Sequence, residues 1–155
     1  MGVVYDKLID RHRQRVSFVV LITFLLTFLF VRFYVILAMS GVIEDPYIYI
    51  RGYHIHHLNY GIFIMAIAGF LALVFQEEKS RLKIGKLYGL GLGLTFDEFG
   101  MWLRLEDDYW TRASYDAIIV ISLFFISFTY FPSLWYYLLH AFERKTKRLF
   151  KKNNP

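Results

Sequence analysis

The sequence predicts an all-α membrane protein, a bundle of four membrane-crossing helices with both termini in the cytoplasm. Three observations carry that expectation. Hydrophobic residues make up 57% of the 155-residue chain and aromatic residues 20%, more than an ordinary soluble core of this size uses. Four apolar stretches approach the roughly 20 residues needed to cross a hydrocarbon core about 30 Å thick. Lys and Arg collect between alternate stretches, which orients a polytopic chain.

The first stretch covers about residues 16–42. Lys7, Arg11, Arg13 and Arg15 precede it, like the charged region of a signal peptide. It is too long for one and lacks a small-residue cleavage site, so it reads as a retained helix that directs insertion. Arg32 interrupts it, and Gly41 with Glu44-Asp45-Pro46 marks its end. The second stretch covers about 55–75, and the third, about 84–103, carries Asp97 and Glu98 within an apolar run. The fourth, about 115–139, contains Pro132, expected to kink it. Residues 140–155 form a basic cytoplasmic tail expected against anionic lipid headgroups. The chain reads as a single transmembrane domain.

Orientation follows from charge. The segment before the first stretch is basic, the loop between the second and third holds Lys79, Arg81, Lys83 and Lys86, and the tail holds Arg144, Lys145, Lys147, Arg148, Lys151 and Lys152. The other two loops hold only Arg51, Arg104 and Arg112. An even number of crossings with this bias places both termini inside, in a plasma membrane. Tyr47, Tyr49, Tyr53, Trp102, Tyr109 and Trp110 then mark the outer interface, and Trp135, Tyr136 and Tyr137 the inner one.

A formal net charge of +5 raises nucleic acid as a partner, but the basic residues flank apolar spans and form no stripe with stacking aromatics. Membrane lipids, a second copy of the chain or another membrane protein are the partners expected. Cysteine is absent, which excludes disulfides, thiolate metal sites and cysteine nucleophiles.

The topology gathers His54, His56, His57, Asp97, Glu98, Glu106, Asp107, Asp108 and Asp116 at the outer side. A charge within a membrane costs about 2.5–3.5 kcal/mol on insertion scales, so Asp97 and Glu98 need an interior partner or a wet cavity. Gly85, Gly89, Gly93 and Asp97 recur every four residues, a small-residue stripe that turns Asp97 toward protein. His57, Gly61, Ala68 and Ala72 share a comparable face, with His54 if the helix begins early enough. His56 follows the bulkier side of Tyr60, Phe63 and Ile67. Arg32 falls in the same outer half and is the expected ion-pair partner of Asp97 or Glu98.

His54, His56 and His57 beside Asp97 and Glu98 offer nitrogen and oxygen donors suited to a divalent metal such as zinc, iron or manganese. The spacing matches no tight metalloprotease or finger pattern. A histidine cluster that takes up protons and a hydrogen-bonded helix cap are the alternatives. The acidic, aromatic segment 104–112 reads as an outer turn that closes over the bundle mouth or binds a cation, and Asp116 as a cap of the fourth helix. Ser122, Thr129 and Ser133 offer a face for interhelical hydrogen bonds.

The combination His-Ile-His-His-Leu-Asn-Tyr-Gly at 54–61 with Leu-Thr-Phe-Asp-Glu-Phe-Gly-Met-Trp-Leu at 94–103, followed by Asp108-Tyr109-Trp110, resembles a family of small multi-span prokaryotic membrane proteins with HxHH and DExxxW motifs. The resemblance covers the second to fourth stretches and brings no activity with it. It implies that His56, His57, Asp97, Glu98 and Trp110 belong to one motif set. Three functions stay open: a metal-dependent membrane enzyme acting on a lipid-like substrate, with Asp97 and Glu98 as candidate catalytic acids; an oligomeric ion or proton transporter; and a membrane assembly subunit without chemistry.

Overall fold

The computed structural model describes residues 12–43, 48–104 and 112–153. They form six helices and one antiparallel hairpin: α1 (His12–Met39), β1 (Ile48–Ile50), β2 (Tyr53–Ile55), α2 (His57–Val74), α3 (Glu78–Asp97), α4 (Phe99–Arg104), α5 (Arg112–Tyr130) and α6 (Pro132–Asn153). The architecture is helical. By length and hydropathy α1 and α2 can each cross a membrane, and a third crossing is reached if the bent pair α5 and α6 counts as one.

α1 ends where Gly41 takes a φ of 72°. The Val42 N–H returns to the Leu37 carbonyl at 3.1 Å and the Gly41 N–H to Ala38 at 3.0 Å, the paired bonds of a Schellman cap. The hairpin is an addition to the expected elements. Its two-residue turn, Arg51-Gly52, has φ values of 52° and 84°, the positive values that let a tight turn match strand twist. Ile50 pairs with Tyr53 across it and Tyr49 with His54.

α3 is the central element, packed between α1 and α2, and glycine sets how closely it approaches each. A Cβ at Gly89 would lie 2.6 Å from the Val20 carbonyl oxygen, and one at Gly93 would lie 2.5 Å from Thr27 Cβ. On the other side, a Cβ at Gly61 of α2 would meet Thr95 and, at 2.7 Å, the Gly91 carbonyl oxygen. Backbone-to-backbone contact of this kind needs residues without side chains. The pairing of Gly85 with Val16, Gly89 with Val20 and Gly93 with Thr27 shows that α1 and α3 run in the same direction. The core between them joins Val20, Leu21, Phe24, Phe28 and Leu92 to Ile118 of α5. Outward, Leu26, Leu29, Phe30, Phe33, Phe63, Phe70, Leu73, Val120 and Leu123 are all at least 60% exposed.

Two expected stretches differ in their course. The third is helical from Glu78, so its charged approach is part of α3, and it breaks at Glu98, where φ −100° and ψ 12° interrupt the helix before α4. The fourth does not merely kink at Pro132: α5 and α6 meet at 94°. Proline cannot continue the hydrogen-bond ladder but suits the first turn of a new helix. The corner is held by Trp135 of α6, which stacks on Phe128 at 4.2 Å and donates its indole N–H to Ser127 Oγ at 3.1 Å. The hydroxyls expected to bridge helices do otherwise. Thr129 bonds the Phe125 carbonyl of its own helix at 2.7 Å, and Ser122 Oγ is buried with no partner among the described residues.

The glycine contacts give a paired prediction. Gly93→Ala should destabilise the protein by about 1–3 kcal/mol, because the new methyl must push Thr27 and the α1 backbone away. Gly69→Ala meets nothing within 4 Å and should be neutral or stabilising by up to about 1 kcal/mol through helix propensity. Unfolding titrations of both variants in the same detergent check the contrast.

Candidate functional site

The site forms where α3 stops. Asp97 is the last residue of α3 and Glu98 the residue of the break, so consecutive carboxylates leave the backbone in different directions while both remain 1% exposed. A continuous helix would set them about 100° apart on one cylinder. The interruption lets each find its own partners.

Asp97 is fixed from two helices. Arg32 of α1 donates through Nε to Asp97 Oδ1 at 2.7 Å and through a terminal nitrogen to the Asp97 carbonyl at 2.6 Å. His57, the first residue of α2, places Nε2 3.0 Å from Asp97 Oδ2. The Arg32 guanidinium lies 5.1 Å from the Tyr115 ring centre and 5.8 Å from that of Phe28, within cation–π range. These rings meet edge to face at 6.3 Å and wall the cation in.

Glu98 caps the neighbouring helix. Its Oε2 accepts the Leu58 N–H at 2.8 Å, which satisfies an amide that the start of α2 leaves without an intrahelical partner. A carboxylate at that end also meets the positive pole of the helix dipole. Glu98 Oε1 lies 3.0 Å from His56 Nδ1 and 3.4 Å from His57 Nδ1. On the other side of the break, the Gly100 N–H donates to Ser114 Oγ at 2.9 Å, tying α4 to the start of α5.

His57 thus stands between two carboxylates, one at each ring nitrogen. The Nε2 contact to Asp97 is a hydrogen bond, whereas Nδ1 approaches Glu98 Oε1 at a longer 3.4 Å. The His56 and His57 side chains are 24% and 21% exposed, so the histidines form the open rim and the acids the floor.

The structure brings together Arg32, His56, His57, Asp97 and Glu98. Arg32 pairs with Asp97 rather than directly with Glu98. The assignment of His56 to the bulky face of a helix is corrected, because His56 precedes α2 in extended conformation, φ −66° and ψ 145°, and helical periodicity does not govern it. For the same reason His54 does not share a helix face with His57. Its backbone lies in β2, and its side chain, like residues 105–111 with Glu106, Asp107, Asp108 and Trp110, lies outside the described part. Asp116 is exposed on α5, one turn into the helix and past its cap. Sequence reasoning missed the capping amide of Leu58 and the ring of Tyr115. The alternating Ile48-Tyr-Ile and Tyr53-His-Ile around Arg51-Gly52 signalled a hairpin and hence a later helix start.

Among the described residues no group of three or more His or carboxylate side chains is arranged to hold a metal ion. Comparison with protein-family models, with curated proteins and with solved structures gave no match.

The charge balance yields a prediction about pairs. Asp97→Ala leaves Arg32 buried without its counterion and should cost about 3–5 kcal/mol, whereas Arg32→Leu with Asp97→Ala should cost clearly less than the sum of the two single changes. Additive losses in a double-mutant cycle of unfolding free energies would contradict a direct pair.

Proposed function

We propose that this chain is a multi-pass plasma-membrane protein whose outward-facing His–carboxylate site binds and exchanges protons, and that it serves proton-linked ion transport as an assembly of copies. In this reading α1, α2, α3 with α4, and α5 are four crossings, and both termini are cytoplasmic. α6 turns along the inner surface, with Trp135, Tyr136 and Tyr137 at the interface and its Lys and Arg residues toward anionic headgroups.

The membrane reading is supported by the length and hydropathy of α1 and α2 and by the belt of exposed Leu, Phe and Val side chains around them. A surface of that kind would drive aggregation in water. α3 opens with charged residues, yet its glycine contacts set it parallel to α1 over the same depth. The charge bias of the loops supplies the direction.

The single observation behind the proton reading is the position of His57, with a carboxylate at each ring nitrogen. An imidazole with a carboxylate facing each nitrogen is placed to pass a proton between them, and the histidine side chains are partly exposed while the acids are buried. Ionisable residues within a membrane segment mark proton and ion paths. Four helices leave little room for a path inside one copy, so transport calls for several copies. In liposomes with an imposed pH gradient, the wild type should dissipate the gradient, and His57→Gln and Asp97→Asn should reduce the rate by at least about tenfold, the scale on which positioned proton-transfer groups act. Equal rates in wild type, variants and protein-free vesicles would remove the transport reading.

A second reading follows from Glu98 Oε1, on which His56 Nδ1 and His57 Nδ1 converge. The three side chains are not arranged to hold an ion in this structure; drawn together by zinc, iron or manganese as two neutral imidazoles and a carboxylate, they would make the site that of a metal-dependent enzyme working on a lipid-like substrate at the outer face. Asp97 is less suited as a ligand, because Arg32 already occupies it. Elemental analysis of protein purified without chelator should find near-stoichiometric metal that Glu98→Gln loses. A metal content no higher in wild type than in Glu98→Gln ends this alternative.

A further inference from the structure

At the end of α1, α2 and α3 opposite the polar site, the three helices part around a cleft of about 360 Å³. Val16 and Val20 of α1, Ala68, Gly69 and Ala72 of α2, and Ile84, Gly85 and Tyr88 of α3 line it, and Arg81 is its one charged wall residue. The gap has a sequence cause. α2 carries only small side chains where it faces α1, and a Cβ at Gly69 would meet nothing within 4 Å, so the helix spacing set by the Gly61 and Gly91 contact is not refilled by side chains. The volume lies within the roughly 300–1,000 Å³ of small-ligand sites and suits a hydrocarbon chain.

Apolar walls alone do not select a ligand in a bilayer, because hydrocarbon gains nothing by exchanging lipid for leucine-like surroundings. Charge must supply the selection. Arg81 reaches the cleft and is steadied by a hydrogen bond from its guanidinium to Gln76 Oε1. Arg15, one residue before the lining Val16, has a buried Nε with no hydrogen-bond partner among the described residues, and its ion pair to Glu78 is long at 3.9 Å. Glu77 and Glu78 also stand at this end, but Lys79, Lys83 and Lys86 with the two arginines leave it positive.

From these observations we infer that the cleft is a binding site for an anionic phospholipid of the cytoplasmic leaflet, with one acyl chain between α1, α2 and α3 and the phosphate at Arg81 and Arg15. This rests on the membrane orientation proposed above and is independent of what the outer site does. An occupant here would brace the ends of the helices whose other ends carry the buried charges.

Native mass spectrometry of the whole chain, with phosphatidylglycerol and phosphatidylcholine of identical acyl chains, reads the site directly. Phosphatidylglycerol should be retained about fivefold more than phosphatidylcholine, and Arg81→Gln should remove most of that preference, the scale of one basic side chain near a lipid surface. Gly69→Phe, which fills open space, and Ala72→Phe should each lower retention of both lipids, whereas Arg104→Gln, which changes an exposed arginine at the end of α4, should leave it unchanged. Equal retention of the two lipids by wild type, or undiminished binding in both filled variants, would falsify the site. Because the chain has no cysteine, an impermeant maleimide applied to intact cells tests the orientation separately: Val42→Cys should label and Lys79→Cys should not. Labelling of Lys79→Cys would place the cleft in the outer leaflet and overturn the cytoplasmic assignment even if the lipid is bound.

Discussion

Arg32, Asp97 and Glu98 are each at most 5% exposed between helices that meet elsewhere through apolar and glycine surfaces, and much of the structure serves to satisfy them. Removing a charge from water costs several kcal/mol even after relaxation, and Coulomb attraction returns that only with close geometry and filled hydrogen bonds. Here both carboxylate oxygens of each acid have partners. Three separate parts of the chain must arrive at one point for this to hold: the C-terminal half of α1, the start of α2, and the break between α3 and α4. The charges therefore act as a registration device as well as a site, since sliding any one of these helices by a turn would strand an ion.

The glycines of α3 make that arrival geometrically feasible. Gly89 and Gly93 bring α1 against the α3 backbone, and Gly91 with Gly61 does the same for α2. At such short separation the long side chain of Arg32 can reach both the Asp97 carboxylate and its carbonyl. Van der Waals contact between the close backbones adds to the apolar core that α1 and α3 share. The close approach is uneven. Helices drawn together at Gly61 and Gly91 diverge at Ala68, Gly69 and Ala72, and the divergence opens the apolar cleft at the far end. One structural choice thus produces both a dry ionic cluster and a greasy cavity.

The two ends of the molecule also differ in what they can do. At the histidine end two partly exposed imidazoles rim two buried carboxylates, the arrangement on which the proposed proton exchange rests. At the other end the cleft is apolar except for Arg81, the charge on which the proposed selection of an anionic lipid rests.

Composition and residue spacing were enough to identify the helical class, the apolar stretches and the meeting of His57, Asp97 and Arg32, because hydropathy and four-residue glycine spacing are local properties of the chain. The same reasoning stopped at helix ends. It extended helical periodicity through His54 and His56, whereas the Arg51-Gly52 turn makes that segment a hairpin and starts α2 only at His57. It read Asp97 and Glu98 as neighbours on one helix, whereas the break at Glu98 separates their roles into a counterion for Arg32 and a cap for α2. Pro132 was visible as a point of disruption, but the 94° corner depends on Trp135 finding Phe128 and Ser127. Which stretches are apolar is written along the chain; which atoms meet is decided only when α1, α2 and α3 close on their glycines and bring together residues as distant in sequence as Arg32 and Asp97, 65 positions apart.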